Sequence, residues 1–169
     1  MFLVKAPSAL RICPCCGGIL QYRDSRKRIR KLGGGKSEYL QIRRLFCSHC
    51  RRLHVELPDC LVPHKHYDAR IIADVLDERI TQDTLEYEDY PCAATMQRWI
   101  RWFEDNRANI EGFLQRAVAA AGKALSSLRC QSWLESLSTL KSIRSADHWL
   151  KVILRTVYNS GGALLASPP

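Results

Sequence analysis

Two cysteine pairs at two-residue spacing constrain this chain more than any other feature: Cys13-Pro14-Cys15-Cys16-Gly17-Gly18 and Cys47-Ser48-His49-Cys50. A gap of two residues lets one tight turn aim two sulfurs at a single ion while its own N–H groups bond the thiolates. Glycine just after the second cysteine removes the steric cost of a positive φ, and Gly17 and Gly18 stand there. Two such knuckles furnish four thiolates, the closed tetrahedral set of a structural zinc site. Cys13, Cys16, Cys47 and Cys50 are therefore the expected ligands of one Zn2+. Cys15 adjoins Cys16 and competes with Cys13, but the two-residue spacing favours Cys13. His49 and His54 are alternative donors; with four thiols at hand, each reads rather as a surface or phosphate-contacting side chain. Cys60, Cys92 and Cys130 lie too far apart for a second site and read as free thiols.

Thirty residues separate the knuckles. They read as a long hairpin, with Ile19 to Ile29 and Tyr39 to Phe46 as arms and Gly33-Gly34-Gly35 in the turn region. The second arm alternates only roughly, which leaves its register open. Two arms bury too little apolar surface to be stable alone, so the metal supplies the missing free energy. Residues 1–66 are thus expected to form a zinc ribbon.

The charge of the chain sits in the same segment. Residues 1–66 carry 14 Lys/Arg against 4 Asp/Glu, and residues 67–169 carry 12 against 13. The net charge of +9 therefore belongs wholly to the cysteine-bearing part. Positive charge concentrated in this way marks a polyanion partner, with nucleic acid first in line. Candidate phosphate contacts are Arg23, Arg26, Lys27, Arg28, Arg30 and Lys31 on the first arm. Arg43 and Arg44 on the second arm and Arg51 and Arg52 after the second knuckle complete the set. No run of about 18 apolar residues occurs, which excludes a transmembrane helix. The opening MFLVKAPSAL is too short and too weakly apolar for a secretory signal. The expected compartment is the reducing cytoplasm, at the nucleoid, where eight cysteines serve as metal ligands and free thiols rather than disulfides.

Past Pro58 and Pro63 the pattern turns helical. Asp68 can cap a helix whose Ile71, Ile72, Val75 and Leu76 share one face, running to about Arg79. Thr81 to Asp89 is acidic and reads as a solvated loop. Pro91 then opens a second helix with an apolar back of Met96, Trp99, Ile100 and Phe103. Ala93 and Ala94 permit close approach at its start, while Gln97, Arg98 and Arg101 project from the other side. A recognition helix is built this way, with polar groups free to reach base edges or phosphates. The competing reading is an ordinary amphipathic core helix.

The run Cys92-Ala93-Ala94-Thr95-Met96-Gln97-Arg98-Trp99 resembles the Ser-x-x-Thr-Val-x-Arg-Trp recognition-helix signature of helix-turn-helix domains in bacterial transposases, with Cys92 where the capping serine stands. Residues 42–54, then Leu57-Pro58-Asp59 and Leu61 to Tyr67, are similar to an uncharacterised bacterial family of short zinc-ribbon proteins associated with insertion sequences and other mobile elements. Similar ribbons open several insertion-sequence transposases. The resemblance covers roughly residues 10–105 and implies sequence-specific binding of double-stranded DNA on behalf of a mobile element.

Residues 107–128 form an amphipathic helix with Ile110, Phe113, Leu114, Ala117, Val118, Ala121, Leu125 and Leu128 on one side. Two more are expected at about 131–143, with Trp133, Leu137 and Leu140, and at 146–158, with Trp149, Ile153, Leu154 and Val157. Short loops pack them as a small antiparallel bundle that completes the core or mediates oligomerisation, a homodimer being the form that suits a two-fold DNA site. The expected fold class is α+β: ribbon 1–66, helix-turn-helix 67–106 and C-terminal helices 107–169. Neither a strand–helix alternation that could gather metal-binding carboxylates nor a phosphate loop or nucleophile elbow is present, so the chain reads as non-catalytic. A separate transposase or recombinase would then do the chemistry. The alternatives are a host transcription regulator and a zinc-ribbon adaptor for protein or RNA.

Overall fold

The computed structural model describes residues 2–4, 12–83, 91–121, 137–138, 140–141 and 146–166. The two hairpin arms are strands β2 (Leu20–Lys31) and β3 (Ser37–Cys47), both longer than the sequence pattern suggested. Gly34 and Gly35 take φ of +70° and +64° in the turn, a backbone that costs other residues free energy. The register that the pattern left open runs from Leu20 opposite Cys47 to Lys31 opposite Ser37, with a shift between Tyr22 and Asp24. Arg23 is the extra residue of that bulge.

The arms do not stand alone. Strands β1 (Phe2–Val4) and β4 (Leu53–Pro58) complete a four-stranded sheet in the order β1-β4-β3-β2, with β4 antiparallel to β3 and β1 parallel to β4. The sequence of β4 does not read as a strand because His54 and Glu56 interrupt its apolar pattern. Both are nevertheless buried, Glu56 because Arg43 Nε donates to its Oε2 at 2.5 Å from the facing strand. Alternation along β3 sends Ile42 into the main core and Leu45 and Cys47 into a small second cluster with Cys13 and Leu20.

Helix α1 (Ala69–Leu76) begins where Asp68 predicts it, the Asp68 carboxylate accepting from the Arg70 N–H at 2.7 Å. It ends short of Arg79, with Glu78 in the left-handed region at φ +57°. Helix α2 (Ala93–Asp105) starts at Cys92, whose side chain makes no cap bond and instead lies 3.3 Å from the Thr95 hydroxyl. The connection from Asp77 to Cys92 is several times longer than the three- or four-residue turn of a tight helix-turn-helix. Residues 84–90 within it, most of the expected acidic loop, lie outside the described residues.

The buried face of α2 is rotated from the expected one. Met96, Trp99 and Phe103 are buried as predicted, but Ile100 is exposed and Trp102 takes its place in the core. The cause is tertiary: Trp102 Nε1 donates to the Leu165 carbonyl at 2.9 Å, and the Lys65 ammonium lies 4.1 Å from its ring. Asn106 separates α2 from α3 (Arg107–Ala121) and is buried, donating to the Trp102 carbonyl and accepting from the Leu165 N–H.

Helix α4 (Ala146–Asn159) packs on α1 and α3. One core runs from Ile42 and Leu57 of the sheet through Ile72, Trp99 and Ile110 to Trp149 and Ile153. Residues 137–138 and 140–141 are helical, with Leu137 buried, whereas residues 122–130 and Trp133 lie outside the described residues. Ala117, expected on the apolar side of α3, is exposed. No helix among the described residues is long and apolar enough to cross a membrane.

Candidate functional site

The first knuckle is a turn closed by two backbone bonds, from the Cys13 N–H to the Gly18 carbonyl at 2.7 Å and from the Gly17 N–H to the Cys13 carbonyl at 2.9 Å. Gly17 takes φ +71°. A Cβ on Gly18 would lie 3.1 Å from the Cys47 loop at His49 and 3.3 Å from Cys47 Sγ, so glycine lets the two knuckles approach. The second knuckle closes from the Cys47 N–H to the Arg52 carbonyl at 3.0 Å, with Arg51 itself in the left-handed region at φ +56°.

These turns bring Cys13, Cys16, Cys47 and Cys50 together with all four sulfurs within 4.8 Å of one another, positioned to hold one metal ion. Cys13 Sγ lies 3.6 Å from Cys50 Sγ, and Cys16 Sγ lies 3.6 Å from Cys47 Sγ. Burial pushes the Cys13 thiol up, but the N–H groups of Cys15 and Cys16 outweigh it and hold Cys13 at about 7. The Cys50 thiol is pushed up to about 12 by burial and by the neighbouring Cys13, Cys47 and Cys16 sulfurs. Cys15 is exposed, within reach of Arg52 Nη1 at 3.7 Å, while His54 is buried with Nε2 3.3 Å from Cys13 Sγ. His54 is thus no surface side chain. Cys60 is partly buried and Cys92 exposed, and neither groups with the four sulfurs.

The basic residues divide into two groups. Arg28 donates through Nη2 to the carbonyls of Val62 at 3.2 Å and Lys65 at 2.8 Å. Arg30 bridges Asp68 and Glu38. Arg43 pairs with the buried Glu56 and Arg44 with Asp24. Arg28 and Arg30 tie β2 to the segment 62–68, and Arg43 and Arg44 pair across neighbouring strands of the sheet. The second group faces solvent: Arg26, Lys27, Lys31, Arg51 and Arg52, with Arg23 3.8 Å from Asp24. On α2, Ala93, Ala94, Gln97, Arg98 and Arg101 are all exposed, and Arg98 Nε donates to the Ala94 carbonyl at 3.2 Å.

β2 is an outer edge of the sheet, and the segment 62–68 is laid along its end. The Lys31 N–H donates to the His66 carbonyl at 2.8 Å, and the Asp68 N–H donates to the Lys31 carbonyl at 2.9 Å. The arrangement leaves a groove of about 550 Å³ lined by Arg26, Lys27, Arg28, Tyr39, His64 and His66. A second groove, of about 300 Å³, continues from His64 and His66 to Lys31, Thr95 and Arg98. The open part of the hairpin and the start of α2 therefore border one basic channel. His64 and His66 were not foreseen as members; the run His64-Lys65-His66-Tyr67 between a proline and a helix cap was the available cue.

Residues 13–99, just over half of the chain, match a family described as Domain of unknown function (DUF6431). No curated protein and no solved structure matches the chain.

Proposed function

The chain belongs to the DUF6431 family, and we propose that it is a non-catalytic DNA-binding protein built on a zinc ribbon. Zinc suits the four-cysteine centre. Zn–S bonds of about 2.3 Å place tetrahedral ligands about 3.8 Å apart, close to the 3.6 Å separations of both sulfur pairs. The ion is structural, since four thiolates fill its shell.

The observation that carries the DNA reading is the basic channel that joins the free cations of β2 to the exposed face of α2 through His64 and His66. Arg26, Lys27 and Lys31 would track phosphates, while Arg98, which borders the channel, and the exposed Gln97 and Arg101 would read bases. The narrower role, an accessory factor of a mobile element working beside a separate transposase or recombinase, rests on the likeness of Cys92–Trp99 to transposase recognition helices. The long connection before α2 makes the helix pair a looser relative of the tight-turn motif.

The test begins with selection of a preferred site from random duplex DNA. Gln97→Ala and Arg98→Ala should each lose about 1–3 kcal/mol on that site and relax the preference at one base pair, with folding unaffected. Trp99→Ala should instead destabilise the fold by about 3–5 kcal/mol through the cavity it leaves. Equal weakening on every sequence by the two α2 variants would mean that α2 does not read bases.

A further inference from the structure

The geometry points to a second zinc site beside the first, formed by Cys15 and His54 with the Cys13 thiolate shared between the two ions. Cys13 Sγ, Cys15 Sγ and a ring nitrogen of His54 lie within 4.8 Å of one another. His54 Nε2 is 3.3 Å from Cys13 Sγ. Sulfur at about 2.3 Å and nitrogen at about 2.0–2.1 Å from a tetrahedral ion stand about 3.5 Å apart, so the pair is already spaced as two ligands of one zinc.

A hydrogen bond from His54 to the Cys13 thiolate would account for that pair alone. It leaves Cys15 unexplained. Cys15 brings a third soft donor to the same spot, in a chain whose first centre is already complete without it. Its sulfur is exposed and lies 3.7 Å from Arg52 Nη1, open to an incoming ion. Cys15 and His54 also line a common cavity of about 430 Å³ together with Tyr158 and Gly161. Three protein ligands would leave the fourth position of a zinc ion open, and the cavity lined by Cys15 and His54 would give water access to it.

Charge favours the pair of ions. One dication with four thiolates carries a net charge of −2. A second dication with one further thiolate brings the centre to −1, and sharing Cys13 spreads the charge of its sulfur over both. The inference rests on the four-cysteine zinc centre and adds a site to it.

The test uses the full-length protein as purified, under reducing conditions, titrated with Zn2+ and freed of excess metal by gel filtration before its metal content is measured. Two zinc ions per chain are expected in the wild type and one in Cys15→Ser and His54→Gln, with circular dichroism reporting that the variants fold. Loaded with Co2+ instead, the wild type should lose the electron paramagnetic resonance signal of the first ion as the second binds, because the shared sulfur couples them. Saturation at one ion, unchanged in Cys15→Ser, would overturn the second site and leave His54 as a hydrogen-bond donor to Cys13. Two ions retained in Cys15→Ser would put the second elsewhere, and loss of both would make Cys15 a ligand of the first. No bound ion in the wild type would overturn the four-cysteine centre itself.

Discussion

Neutralising the free cations of the hairpin edge should change how DNA affinity depends on salt, and neutralising the engaged ones should not. Arg26, Lys27 and Lys31 are exposed along the channel, Lys31 with its Nζ 5.1 Å from the Tyr67 ring. Each phosphate contact releases counterions and adds about 0.9 to the slope of log affinity against log salt. An Arg26→Gln, Lys27→Gln, Lys31→Gln triple variant should therefore flatten the slope by about 2.7, three contacts at about 0.9 each. Arg28→Gln behaves differently. Its guanidinium holds two carbonyls of the segment 62–65, and leaving such buried acceptors without a donor costs about 1–3 kcal/mol of stability. The slope should hardly move. Fluorescence anisotropy of a labelled duplex between about 50 and 200 mM salt reads the slope, and thermal unfolding reads the stability. An unaltered slope in the triple variant would refute the channel as the phosphate track. A full loss of one contact in a normally stable Arg28→Gln protein would show that the division of the arginines is wrong.

Cys47→Ser should release the metal of the four-cysteine centre and unfold the ribbon, as read by metal content and circular dichroism; full metal and an intact fold would remove that centre. Metal affinity should fall as pH drops, because Cys50, pushed up to about 12 without metal, holds a proton near neutrality that the ion must displace; proton release on zinc addition, followed with an indicator dye, checks this. Asp68→Asn should break the ion pair to Arg30 yet keep the helix cap, whereas Asp68→Ala loses both, so the alanine variant should be less stable by about a further 1 kcal/mol in denaturant titration.

The features legible in the sequence were those that depend on near neighbours. A two-residue spacing between cysteines defines a turn by itself, so the four-thiol set could be named without knowing what surrounds it. Asp68 caps the residue two positions on, and the start of α1 follows from that local bond. The exposed positions Gln97, Arg98 and Arg101 of α2 were likewise readable from helical period, though Ile100 was not.

What the tertiary structure alone decided concerns side chains whose partners are remote in sequence. Arg28 and Lys27 are adjacent and both cationic, yet one is tied to carbonyls some 35 residues away and the other is open to solvent. Strand β4 looks too polar until Arg43 is set opposite Glu56, and Trp102 replaces Ile100 in the core only because Lys65 and the chain at Leu165 converge on its ring. His54 approaches Cys13 from 41 residues along the chain, a meeting created by the pairing of β4 with β3. Long polar side chains are compatible with water or with a buried partner, and local sequence leaves that choice open; the folded neighbours determine it because only they supply the matching charge or carbonyl at hydrogen-bond distance.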